Sequence, residues 1–120
     1  MVLFVDDDNA TQDLAREILH EQGFRVLTAT GGSQALQLYR EHATEIQLVV
    51  LDLLMPGMDG GETFLELKKL NPDVKAFFCT GHVSSEVMRS LLEDENLKAL
   101  QKPIRNDEFV SMVREVLDAR

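Results

Sequence analysis

Val2-Leu3-Phe4-Val5-Asp6-Asp7-Asp8 and Leu48-Val49-Val50-Leu51-Asp52 are built alike: four apolar residues followed by acid. Neither run alternates apolar with polar, so neither reads as a strand with one wet face. A short unbroken apolar run is the pattern of a strand covered on both sides, as in a parallel sheet flanked by helices. Similar runs occupy residues 25–29, 75–79 and 98–100. These five predicted strands alternate with helical patterns from one end of the chain to the other. That alternation predicts one α/β domain with a parallel sheet, and right-handed crossovers leave few ways to arrange it.

Working outward, five helical patterns fill the gaps. The first covers residues 10–21, with Leu14 and Ile18 on one face. Asn9 and Gln12 have capping-box spacing, and Gly23 stands as a stop. The second covers residues 33–42 and turns Ala35, Leu36 and Tyr39 inward. The third starts at Asp59, with Glu62 as capping partner and Phe64, Leu67 and Leu70 inward, and Asn71-Pro72 ends it. The fourth begins near Ser84 or Ser85 and carries Val87, Met88, Leu91 and Leu92. The fifth begins at Asn106. Its Phe109, Met112, Val113, Val116 and Leu117 recur at i, i+3, i+4, i+7 and i+8, the clearest amphipathic pattern in the chain.

The 120 residues are 44% hydrophobic and 28% charged, enough for one ordinary core and too few for two. A single domain over residues 1–120 is therefore expected, ending with the last helix. No apolar run approaches the roughly 20 residues of a membrane span, and the start lacks a signal-peptide pattern. Cys79 is the single cysteine, so no internal disulfide forms; this fits a reducing compartment. Twenty-one acids against 12 Lys and Arg give a net charge of -9. Such a surface repels phosphate backbones and argues against direct nucleic-acid binding.

In a doubly wound sheet, functional groups gather beyond the carboxyl ends of the strands. Those ends carry Asp6-Asp7-Asp8, Asp52, Thr80-Gly81 and Lys102-Pro103. Two carboxylates 5 Å apart repel by about 3 kcal/mol at an effective dielectric near 20. Clustered carboxylates are expected to raise one another's pKa and to attract a cation. All-oxygen ligands suit Mg²⁺ or Mn²⁺, which keep waters and accept a phosphate oxygen. The cluster thus points to a metal that helps a phosphoryl group arrive or leave. Taken singly, each residue has a plainer reading: aspartates favour turns, threonine caps helices, lysine is a solvated charge. The combination at four strand ends is far more specific.

Those residues resemble a known signature. Val5-Asp6-Asp7-Asp8, then Leu51-Asp52-Leu53-Leu54-Met55-Pro56-Gly57-Met58-Asp59-Gly60, then Thr80-Gly81, then Lys102-Pro103 look like the response-regulator receiver domain of two-component signalling, in order across the whole chain. The resemblance implies a flavodoxin-like (βα)5 fold, a doubly wound parallel sheet with strand order 2-1-3-4-5. It implies Asp52 as phosphoacceptor, with Mg²⁺ or Mn²⁺ held by Asp6, Asp7, Asp52 and the backbone carbonyl of Leu54. Thr80 and Lys102 would then bind phosphoryl oxygens. Partners implied are a histidine kinase or histidine phosphotransfer domain as donor and an output domain or partner protein as reader. The setting implied is cytoplasmic, and the expected product is a phosphoprotein that loses its phosphoryl group slowly, not a turnover enzyme. Residues 67–75 and the Thr80-Gly81-His82 loop look more like receivers attached to hybrid sensor histidine kinases than like free-standing chemotaxis receivers.

The chain departs from the family pattern at several places. Ala99, three before Lys102, replaces an aromatic that usually moves on activation, so the signal is expected to travel through residues 80–88. Gly81 replaces the commoner Ala. Leu54 and His82 hold the two positions that tune phosphoryl lifetime; Leu54 cannot position a water, and His82 reads as a solvated loop residue. His20 and His42 read as surface residues, Asp8 as an exposed acid outside the metal site, Met55 and Met58 as packing, Cys79 as a buried strand residue. Three other readings compete. A haloacid-dehalogenase-type phosphatase wants an acid where Leu54 stands. A flavodoxin wants a phosphate-cradling first loop, and Asp6-Asp7-Asp8 repels phosphate. A degenerate receiver serving only as an interaction module would not need the intact acid, Thr and Lys set.

Overall fold

The computed structural model describes residues 1–81, 86–95 and 97–119. Along the chain run β1 (Val2–Val5), α1 (Asn9–Glu21), β2 (Val26–Ala29), α2 (Gly32–Glu41), β3 (Leu48–Leu51), α3 (Gly60–Leu70), β4 (Ala76–Thr80), α4 (Glu86–Glu95), β5 (Ala99–Gln101) and α5 (Asn106–Asp118). All strand pairs are parallel, and the order is β2-β1-β3-β4-β5. This is the flavodoxin-like (βα)5 arrangement. β2, β4 and β5 each start one residue later than the apolar runs predict.

The central strands explain their own unbroken hydrophobicity. Every residue of β1, β3 and β4 is buried, because alternate side chains enter two different cores. Leu3, Val5, Val49, Leu51 and Phe78 face a core completed by Ala35 and Leu36 of α2 and Phe64 and Leu67 of α3. Val2, Phe4, Val50, Phe77 and Cys79 face the opposite core, with Ala15, Ile18 and Leu19 of α1 and Phe109 and Val113 of α5. There the Phe109 ring meets Phe4 and Phe77 edge-on, each with centroids 6.1 Å apart. Such contacts add about 0.5–1.5 kcal/mol beyond area burial. The edge strands are less covered: β2 has one buried residue, and β5 has none.

Three local expectations give way. The cap of α1 is Asp8, not Asn9: its carboxylate accepts the Thr11 N–H at 3.1 Å. Leu14 is 42% exposed, and the inward positions of α1 are Gln12, Ala15, Ile18 and Leu19. Leu70 is 44% exposed, because the backbone turns away at Asn71 and Leu67 is the last α3 side chain over the sheet. Asp59 caps α3 as its spacing predicts, accepting the Glu62 N–H at 2.8 Å. Gly23, at φ +88°, ends α1. The expected start of α4 at Ser84 or Ser85, and the packing of Val87, Met88 and Leu91, lie outside the described residues; Leu92 packs against the α2–α3 core.

Candidate functional site

The site is assembled by backbone before any side chain is considered. Parallel pairing sets Val5 beside both Ala29 and Leu51. The ladders run one residue past each strand: Asp6 N–H donates to the Ala29 carbonyl (3.0 Å), Asp52 N–H to the Val5 carbonyl (2.9 Å), and Lys102 N–H to the Thr80 carbonyl (3.0 Å). Asp6 and Asp52 therefore leave adjacent strands at one level. Asp6, Asp7 and Asp52 each offer an oxygen, and these oxygens all lie within 4.8 Å of one another. Asp6 is fully buried, Asp52 6% exposed, and Asp7 open to solvent.

Lys102 reaches in from beyond β5. Its Nζ lies 2.6 Å from Asp6 Oδ2 and 3.2 Å from Asp52 Oδ2. Asp6 Oδ1 accepts the Asp8 N–H at 2.9 Å. Asp6 Oδ2 is buried, and among the described residues it has no hydrogen bond of good geometry and is served by the ion pair with Lys102. A buried anionic oxygen with one off-axis partner is what a site open to a second cation looks like. The all-carboxylate donor set matches a hard divalent ion rather than a soft one.

Burial pushes the Asp6 carboxyl above its usual range, and Lys102 and the Asp8 N–H draw part of that back. The charge of Asp52 adds to the rise but is the smallest contribution. Asp6 is thus raised, but by burial rather than by the carboxylate repulsion that the clustering predicts as the cause. Burial would lower Lys102, but Asp6 and Asp52 outweigh it and raise the ammonium's pKa. Cys79 is buried in β4 as expected, and burial pushes its thiol up to about 12. It is a neutral packing group.

Thr80 closes β4 and is fully buried. Leu54 lies two residues past Asp52 with its side chain 53% exposed. Close approach dictates the residue at the start of α3: a Cβ on Gly60 would stand 2.1 Å from the Asp52 carbonyl oxygen, so only glycine lets the helix begin there. Gly60 N–H also donates to the Leu53 carbonyl at 2.8 Å. Asp8 is exposed and outside the acidic cluster, serving as a helix cap. His20 is exposed at the end of α1; His42 ends α2, its Nδ1 3.3 Å from Glu45. Met55 is in the core, and Met58 packs on it. Ala99 is half-buried against the same core. His82 lies outside the described residues.

Gln12 is the residue that sequence reasoning misplaced. Read as a capping partner, it is instead buried. Its Nε2 donates to the carbonyls of Asp6 (2.6 Å) and Ala29 (3.1 Å). The available signal was an amide on the helix face that otherwise carries Ala15, Ile18 and Leu19.

Residues 2–114 match the response regulator receiver domain. The chain belongs to that family. This receiver domain is 33% identical to part of the sensor kinase CckA of Brucella abortus (strain 2308), over 98% of its own length but only 12% of the relative's. It is 30% identical to the chemotaxis protein CheY of Halobacterium salinarum, over 98% of its own length and 97% of that protein. The crystal structure of the receiver domain of NtrX from Brucella abortus superposes with a TM-score of 0.89 at 27% identity, covering both chains completely. Five curated relatives are much longer proteins, of which this chain spans between 12% and 27%. No helix among the described residues is long and apolar enough to cross a membrane.

Proposed function

We propose that this receiver domain takes a phosphoryl group from a phosphohistidine onto Asp52 and changes its protein contacts as a result. The observation that carries the reading is Lys102 Nζ held between Asp6 Oδ2 and Asp52 Oδ2, at 2.6 and 3.2 Å, beside Asp7. Asp6, Asp7, Asp52 and the Leu54 carbonyl would hold Mg²⁺ or Mn²⁺. Once bound, that ion offsets the negative charge of the incoming phosphoryl group.

The chain's own residues do the rest. A carboxylate oxygen of Asp52 attacks phosphorus in line with the donor nitrogen. The P–N bond breaks, its electron pair stays on the imidazole, and an acyl phosphate forms on Asp52. Lys102 is a compact cation on a flexible stem, so it can leave the free carboxylates and pair with the new phosphoryl oxygens. The Thr80 hydroxyl supplies a donor to the same oxygens. The exposed, apolar Leu54 side chain positions no attacking water, which favours slow loss of the group.

The donor is a histidine kinase or histidine phosphotransfer domain, and the reader is an output domain or partner protein in the cytoplasm. The likeness to a segment of a sensor kinase favours a place inside a hybrid kinase. Incubation with acetyl phosphate and Mg²⁺, read by intact mass, tests the acceptor. One phosphoryl addition is expected. An unmodified chain, or equal labelling of Asp52→Asn, overturns the reading.

A further inference from the structure

Asp6 is gripped at three points, and one of them is supplied by α1. Its N–H donates to the Ala29 carbonyl, and its Oδ1 accepts the Asp8 N–H. Its carbonyl lies past the last ladder pair of β1 and takes the Nε2 of Gln12 at 2.6 Å. The second proton of the same amide goes to Ala29, whose carbonyl already receives Asp6 N–H. One side-chain amide therefore closes a ring over the ends of β1 and β2. Gln12 is 6% exposed, so its donors have no solvent to turn to.

We infer that Gln12 is a positioning residue for the phosphoacceptor site: its amide fixes the Asp6 peptide, and through it aims the Asp6 carboxylate at Lys102 and the cation position. Gln12 touches none of the reacting groups. With the amide absent, the Asp6 carbonyl becomes an unpaired buried acceptor and the peptide is free to rotate. Rotation swings the carboxylate away from the Asp8 N–H and from Lys102. Groups behind metal-binding carboxylates typically change metal affinity by about 10- to 100-fold when removed. The metal-affinity part of the inference rests on the function proposed above; the grip on Asp6 does not.

Gln12→Met keeps length and apolar bulk but has no donor. In metal-free protein, amide hydrogen exchange at Asp6 and Asp8 should speed up at least about tenfold. Ile46→Val, in the core far from the site, serves as a stability control and should leave both amides unchanged relative to the rest of β1. Gln12→Arg, which keeps a donor, should restore slow exchange at both. In a parallel titration Gln12→Met should weaken Mg²⁺ binding about tenfold, with the control within about twofold. Should Gln12→Met not fold, Gln12→Asn, whose amide falls one methylene short, is read in the same way. Unchanged exchange at Asp6 and Asp8 in the donor-free variant overturns the inference, as does equal loss in Gln12→Met and Gln12→Arg. Faster exchange in Gln12→Met, together with wild-type protein that neither binds Mg²⁺ nor labels, keeps the grip on Asp6 and overturns the proposed function instead.

Discussion

The two flanks of the site are built differently. Asp6 and Asp52 extend β1 and β3, whose residues are all buried between two cores. Lys102 extends β5, a three-residue edge strand with no buried residue. The acids are thus placed by backbone that cannot shift without disturbing both cores. The cation is placed by a half-buried side chain on a lightly held edge. The proposed function uses that division: a phosphoacceptor and its metal ligands work best preorganised, while something nearby must move when charge arrives.

The sharpest way to break this comparison is chemical. Asp52→Asn should abolish labelling by acetyl phosphate. Lys102→Ala should leave a slow reaction, reduced about 100-fold, as for loss of one electrostatic stabiliser. Equal loss in both would mean that the edge is as indispensable as the centre. The two rates follow from a time course of intact mass.

Stability should divide along the same line. Phe77→Ala removes a fully buried ring packed on Phe109 and is expected to cost about 3–5 kcal/mol. Leu100→Ala, on the half-buried edge, should cost about 1–2 kcal/mol. Urea unfolding of both variants measures the difference. Similar costs would show β5 to be as firmly built in as β4.

A gentler effect comes from pH. The folded pKa of Asp6 is raised by burial, so the folded state binds its proton more tightly than the unfolded chain. Apo stability from this group is complete below the unfolded value near 4 and is lost as pH rises through the raised folded value. Lys102, also raised, contributes stability that is complete below about 10.4 and lost only as pH climbs through its folded value. The contribution of Asp6 to the melting temperature of apo protein should therefore decline as pH rises from about 4 through the raised folded value. Asp6→Asn should flatten that decline, and a steeper one in the variant would remove Asp6 as its source.

The smallest effect concerns the end of β4. The φ of Gly81 lies outside the left-handed region, and among the described residues nothing stands within 4 Å of where its Cβ would be. Gly81→Ala should raise stability by about 0.4–1 kcal/mol, by restricting the unfolded chain. If residues 80–88 carry the signal past Ala99, the same variant should shrink the amide shift changes that beryllofluoride and Mg²⁺ cause there. A shrinkage confined to residues 98–100 would move the readout to the edge strand.

The amino-acid sequence by itself determined the order of elements, the parallel sheet and the acids at its carboxyl edge. Unbroken runs such as Leu48–Leu51 have no stable place except between two layers, and acids that come after such runs can only emerge at one edge. Asp59 likewise announced a helix start, because its cap is a contact within three residues. Tertiary structure decided the rest. Gln12, Leu14 and Leu70 were misread because helical periodicity does not say which side the sheet lies on, nor that strand-end carbonyls await a donor there. The meeting of Lys102 with Asp6 spans almost the whole chain, and no local pattern encodes it. It exists because parallel pairing brings strand ends far apart in sequence to one level, where a buried acid and a flexible cation gain more from each other than either gains from water.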